Sequence, residues 1–77
     1  MDAAEAINVD KDILNGTPVF KGTRVPVKNL FDYLEAGDSL NDFLADFDYI
    51  SKDACLAVLK MSEKLLIDTQ IHESINR

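Results

Sequence analysis

Gly16-Thr17-Pro18-Val19-Phe20-Lys21-Gly22-Thr23-Arg24-Val25-Pro26-Val27 decides how this chain folds. Two β-prone pairs, Val19-Phe20 and Arg24-Val25, flank Lys21-Gly22-Thr23, where Gly22 can take a positive φ without a steric clash. The stretch therefore predicts a short hairpin. Pro26 stands where a following helix would begin, because its fixed φ suits the first turn and its missing N–H costs nothing there. The same ribbon gathers Lys21, Thr23, Arg24 and Lys28 into a positive rim on an otherwise acidic chain.

Helices follow from the spacing downstream. Val27, Leu30, Phe31 and Leu34 recur at i, i+3, i+4 and i+7, which predicts a helix over 27–36 that Gly37 ends as a left-handed cap. Ser39 with Asp42 three residues on has the form of a capping box. It opens a second helix near 40–47 whose apolar positions are Leu40, Phe43, Leu44 and Phe47. Asp48-Tyr49-Ile50 breaks that pattern, and Ser51 caps a third helix with Asp53 at the positive end of its dipole. Cys55, Val58, Leu59, Ser62 and Leu66 mark its inner face, and Ala54, Ala57, Met61 and Leu65 widen it into a broad apolar band.

The predicted fold class is mainly α: a short N-terminal β-hairpin followed by a three-helix unit with the tight joints of a helix-turn-helix. Residues 1–15 form an N-terminal arm with one strand-like segment, 16–66 the hairpin and helices, and 67–77 a helical extension or tail. Ile7-Asn8-Val9 has the composition to pair with Val19-Phe20, in its own chain or in a second copy. A chain of 77 residues has a thin core, so exchange or packing across a two-fold axis in a homodimer is the favoured expectation.

Several chemistries are not suggested by the residues. A single cysteine provides no disulfide framework, and Cys55 lies within an apolar helical pattern as a small buried side chain would. His72 has no second His or Cys at metal-ligand spacing, and no Ser-His, Cys-His or apolar carboxylate pair is available for catalysis. The expectation is a non-enzyme with no metal or cofactor. No run approaches the ~20 apolar residues that span a bilayer, and the start lacks the pattern of a signal peptide, which predicts a cytoplasmic protein with no membrane partner.

Net charge is −6, yet it is unevenly spread. Residues 16–31 carry Lys21, Arg24 and Lys28 with no acid, whereas 32–53 carry seven acids against Lys52. Charge runs are usually solvated faces, so this polarity alone points only weakly to nucleic acid. Beyond Leu66, Ile67, Ile71 and Ile75 recur every fourth residue. That narrow stripe suits a partner-binding seam, a continuation of the third helix over its own domain, or a frayed tail.

Ile7-Asn8-Val9-Asp10, then Ile13-Leu14-Asn15 running into the quoted ribbon, resembles the opening of the bacterial family catalogued as domain of unknown function 433. The likeness continues through Leu34, Gly37, Ser39, Leu40, Phe43 and Leu44 to Tyr49-Ile50-Ser51 and the helix from Asp53 to Leu59. Its specific core is Gly22-Thr23-Arg24-Val25-Pro26-Val27, and it spans about residues 7 to 65. Where relatives often carry Tyr-Pro before the third helix, this chain has Phe47-Asp48.

The resemblance implies a homeodomain-like or winged helix-turn-helix unit and an antitoxin paired with a PIN-like ribonuclease toxin. The expected function is then a DNA-binding antitoxin and autoregulator of a toxin–antitoxin module. Lys21, Thr23, Arg24, Lys28, Ser51 and Lys52 would contact operator DNA, and Ile67, Ile71 and Ile75 would contact a partner. The alternative is a protein-interaction module that masks a partner nuclease without touching DNA.

Overall fold

The computed structural model describes residues 1–67, in the order α1 (Ala3–Ala6), β1 (Ile7–Asn8), a 3-10 turn (Leu14–Gly16), β2 (Val19–Phe20), α2 (Lys28–Glu35), α3 (Leu40–Asp46) and α4 (Lys52–Ile67). It is mainly helical with a short N-terminal two-stranded antiparallel sheet, as the sequence predicts. Ile71, Ile75 and most of the predicted extension lie outside the described residues.

The amino-terminal segment is more structured than an arm. Asp2 and Glu5 form a capping box: the Asp2 carboxylate accepts the Glu5 N–H at 2.9 Å, and Glu5 Oε1 accepts the Asp2 N–H at 3.2 Å. A single turn of helix does not persist by itself. Here α1 packs on α4 and buries Ala3 and Ala6, the latter as part of the main core.

Asp10 then folds the connection to β2. Its carboxylate accepts the Asp12 N–H at 2.8 Å, and its carbonyl accepts from Ile13 and Gly16. Leu14, Asn15 and Gly16 all take positive φ (50°, 58° and 86°), a conformation natural to Gly16 and costly for Leu14.

The sheet pairs Ile7 with Phe20 and Asn8 with Val19, within one chain. The arm reaches β2 of the same chain, one of the two pairings the sequence allows, and α1 docking on α4 fixes where it lands. The predicted hairpin is present as a tight turn rather than a second ladder. Phe20 N–H donates to Val25 O at 3.0 Å, and an isolated bridge joins Val19 to Pro26.

The helices start and stop close to expectation. In α3 the Ser39 Oγ accepts the Asp42 N–H at 3.0 Å while the Asp42 carboxylate accepts the Ser39 N–H at 2.9 Å. Gly37, at φ 93°, makes the turn out of α2. The core centres on Phe20, Phe43, Leu30, Val19 and Cys55, all fully buried. Around Phe43 stand Phe47, Tyr33 and Phe20, at ring separations of 4.8, 5.2 and 5.9 Å.

One expectation fails along α4. Ala54, Cys55, Ala57 and Val58 are buried, but Met61, Leu65 and Leu66 are exposed. At 16 residues the helix is about 24 Å long, and its last two turns outrun the small body beneath them.

Candidate nucleic-acid interface

The basic rim is built on the turn after β2. Burial of Val19 and Phe20 on one side and of Val25 and Val27 on the other anchors both ends. The residues between them are thrown outward, with Gly22 at φ 81° closing the bend. Lys21 and Arg24 are exposed on this turn. Lys21 Nζ donates to Ala4 O at 3.4 Å, a long bond that leans its stem over α1, and among the described residues neither Lys21 nor Arg24 is in an ion pair.

Thr23 has an internal task. Its hydroxyl donates to Phe20 O at 2.7 Å and accepts the Val25 N–H at 3.0 Å, so it braces the turn instead of facing a ligand. Lys28 is engaged too. Its ammonium meets both oxygens of Asp32, one turn along α2, at 2.8 and 3.0 Å. The hydrogen bond to Asp32 raises the Lys28 pKa above its usual value. An exposed pair of this kind contributes little to stability, yet it cancels a charge that a phosphate would need.

Ser51 and Lys52 sit at the start of α4. Ser51 Oγ accepts the Ala54 N–H at 3.1 Å and its carbonyl accepts from Cys55, so the hydroxyl is a helix cap. Lys52 is exposed between Asp48 and Asp53. No hydrogen bond or ion pair among the described residues joins this helix start to the turn at 21–24. Of the six residues expected at DNA, Lys21, Thr23 and Arg24 share one turn. Among the described residues no ion pair engages Lys21, Arg24 or Lys52.

A second polar surface lies on α2 and α3. The Tyr33 hydroxyl donates to Asp46 Oδ2 at 2.6 Å, with the charges of Asp38 and Asp42 close enough to act on it. That hydrogen bond, with burial and the surrounding carboxylates, pushes the phenol pKa up. Asp42 moves the other way: the Ser39 backbone and hydroxyl hold its carboxyl below the usual range. The 3.6-residue period would have placed Tyr33 beside the apolar stripe, but its bond to Asp46 depends on the α2–α3 crossing, which no local pattern encodes. Among the described residues no group of three or more His, Cys, Asp or Glu is placed to hold a metal ion. No helix there is long and apolar enough to cross a membrane.

Ile67, the one described member of the isoleucine stripe, closes α4 and is half exposed. Residues 7–60, covering the whole ribbon, the turn and most of the helical body, match the family model described as Protein of unknown function (DUF433). The chain belongs to the DUF433 family. Nothing matches among curated proteins or among solved structures. The match encloses the turn cations Lys21 and Arg24, the Ser39 capping box and the start of α4. It stops before the exposed end of α4, so Ile67 lies outside the part shared with DUF433.

Proposed function

We propose that this DUF433 protein is a small antitoxin-like regulator that contacts DNA through the turn bearing Lys21 and Arg24. The observation that supports the reading is local. In an acidic chain these two cations project from a rigid turn, held at both ends by buried residues and braced by Thr23, with no carboxylate among the described residues paired to either. Unpaired cations on a stiff loop suit phosphates, because their attraction is not already spent on a neighbouring acid. Lys52, at the amino end of α4, adds a third charge where the helix dipole also favours phosphate.

Binding of this kind is weak per chain and sensitive to salt. Fluorescence anisotropy with duplex DNA from upstream of its own gene, at low ionic strength, should give binding that Lys21→Glu with Arg24→Glu abolishes. No binding at low salt, or binding indifferent to both substitutions, would remove the reading.

A second reading rests on the carboxylates Asp38, Asp42 and Asp46 about the Tyr33 hydroxyl. An acidic face of this kind suits a basic protein, such as the PIN-like ribonuclease that the family resemblance implies as a partner. Association with such a nuclease that Asp38→Asn, Asp42→Asn and Asp46→Asn together abolish, with DNA affinity absent, would favour masking of a partner over operator binding.

A further inference from the structure

We infer that α4 pairs antiparallel with α4 of a second copy of this chain, along a seam made by Leu56, Lys60, Glu63 and Ile67. The spacing of these four is 4, 3, 4, the alternation that keeps one stripe of a helix facing a partner helix. All four are on the side of α4 away from the buried Ala54 and Val58. Leu56 remains 45 % exposed and Ile67 53 %, although both are large and apolar. Leu59 and Leu66 flank the stripe on one side, Leu66 at 58 % exposure. Beside it a hollow of about 430 Å³ is lined by Leu56, Leu59, Lys60 and Glu63 together with Met1 and Ala57.

The order of the residues identifies the occupant. Leu56 and Ile67 lie equally far from the midpoint between Met61 and Ser62, and so do Lys60 and Glu63. A two-fold axis through that midpoint sets Leu56 against Ile67 of the second copy, and Lys60 against its Glu63, twice over. An unrelated partner would require no such palindrome. A parallel pairing would oppose Lys60 to Lys60 and Glu63 to Glu63, which disfavours it.

The two-fold axis also keeps Leu59 and Leu66 of both copies on the same side of the seam, and Leu66 of the second copy comes level with Ala57, beside the hollow. Within one chain Lys60 and Glu63 already form a pair at 3.1 Å, with both side chains largely exposed. In the dimer each reaches across as well as along, and the charges that solubilise the stripe in the monomer become its register.

This surface is separate from the basic turn, and the inference does not depend on DNA binding. The seam covers about 17 Å of helix, so the interface is at the small end of specific ones, roughly 1,000 Å². With two charged residues in a seam this short, a weak dimer is expected, with a dissociation constant on the order of 10 μM.

Sedimentation equilibrium of the full chain, without DNA, tests it. The wild type should be mainly dimeric at about 100 μM and mainly monomeric at about 1 μM. Lys60→Glu and Glu63→Lys, each alone, place like charges across the seam and should weaken association about tenfold or more, with far-UV circular dichroism unchanged. Mixed in equal amounts the two variants should recover dimers with about the wild-type constant, because every charge then meets its opposite. A wild type that stays monomeric at 100 μM, single variants that dimerise normally, or a mixture that fails to assemble would each overturn the inference.

Discussion

Removal of the Phe43 ring is the sharpest test of how this body is held together. Phe43 is fully buried, and its ring lies 4.8 Å from that of Phe47, 5.2 Å edge-on from Tyr33 and 5.9 Å from Phe20. It thus joins α3 to α2 and to β2. Phe43→Ala removes the transfer free energy of the ring, leaves a cavity bounded by stiff neighbours and forfeits three aromatic contacts. Core truncations of this kind cost about 3–5 kcal/mol. A domain of this length has roughly 4–12 kcal/mol in total, so the variant should lie at or near the edge of unfolding at 25 °C.

Phe43→Leu supplies the measurable partner. It keeps most of the volume and should cost about 1.5 kcal/mol or less, lowering the midpoint of thermal unfolding by about 6–12 °C. A urea titration and a thermal melt, each followed by far-UV circular dichroism, give the two numbers, and an unchanged slope with denaturant would confirm that stability moved and not compactness. If Phe43→Ala lost less than about 1 kcal/mol, the three-element junction would not be the centre of the core.

Other consequences are narrower. Ser39→Ala removes the acceptor for the Asp42 N–H and should cost about 1 kcal/mol in a urea titration; a loss within error would mean that water replaces the cap without penalty. The Tyr33 phenol ionises later in the folded chain than in the unfolded one, first because of its hydrogen bond to Asp46. Its contribution is therefore complete below the ordinary value of 10.0 and lost as pH rises through the raised one. The difference in urea midpoint between wild type and Tyr33→Phe should shrink from pH 8 to pH 11, and parallel profiles would contradict this. Burial pushes the Cys55 thiol pKa up, so an aromatic disulfide reagent should modify the native protein about a hundredfold more slowly than the urea-unfolded chain. Equal rates would place Cys55 outside the core.

The sequence was most readable where a local rule and the packing agree. Ser39 and Asp42 announce their capping box, Gly37 its positive φ, and Leu30 and Phe43 their burial, because each depends on neighbours within one helical turn. The pairing of Ile7-Asn8 with Val19-Phe20 was visible only as a choice between one chain and two. Where Ile7-Asn8 lands within the chain depends on α1, whose four residues carry no periodicity and whose capping box passes for an acidic stretch.

The candidate site was less legible than the fold. A charge tally divided at residue 31 separates Lys28 from Asp32, although helix geometry stacks positions four apart. The hydroxyls of Thr23 and Ser51 look like ligand contacts in a sequence, and both are spent on nearby backbone. The exposed end of α4 escaped because apolar periodicity records which residues share a face, not whether anything lies beneath it.

The salt dependence of DNA binding tests the central claim most directly. Lys21, Arg24 and Lys52 offer three cations per chain that no ion pair among the described residues engages, so a dimer engaging all of them should give a slope of log affinity against log salt of about −5. Pairing through α4 would hold its two amino ends about 28 Å apart along the helices, not far from the ~34 Å repeat of the duplex. Lys21→Ala with Arg24→Ala should reduce the slope to about −2, with circular dichroism unchanged. A slope unaltered by that double substitution, or no binding even in dilute salt, would contradict the account.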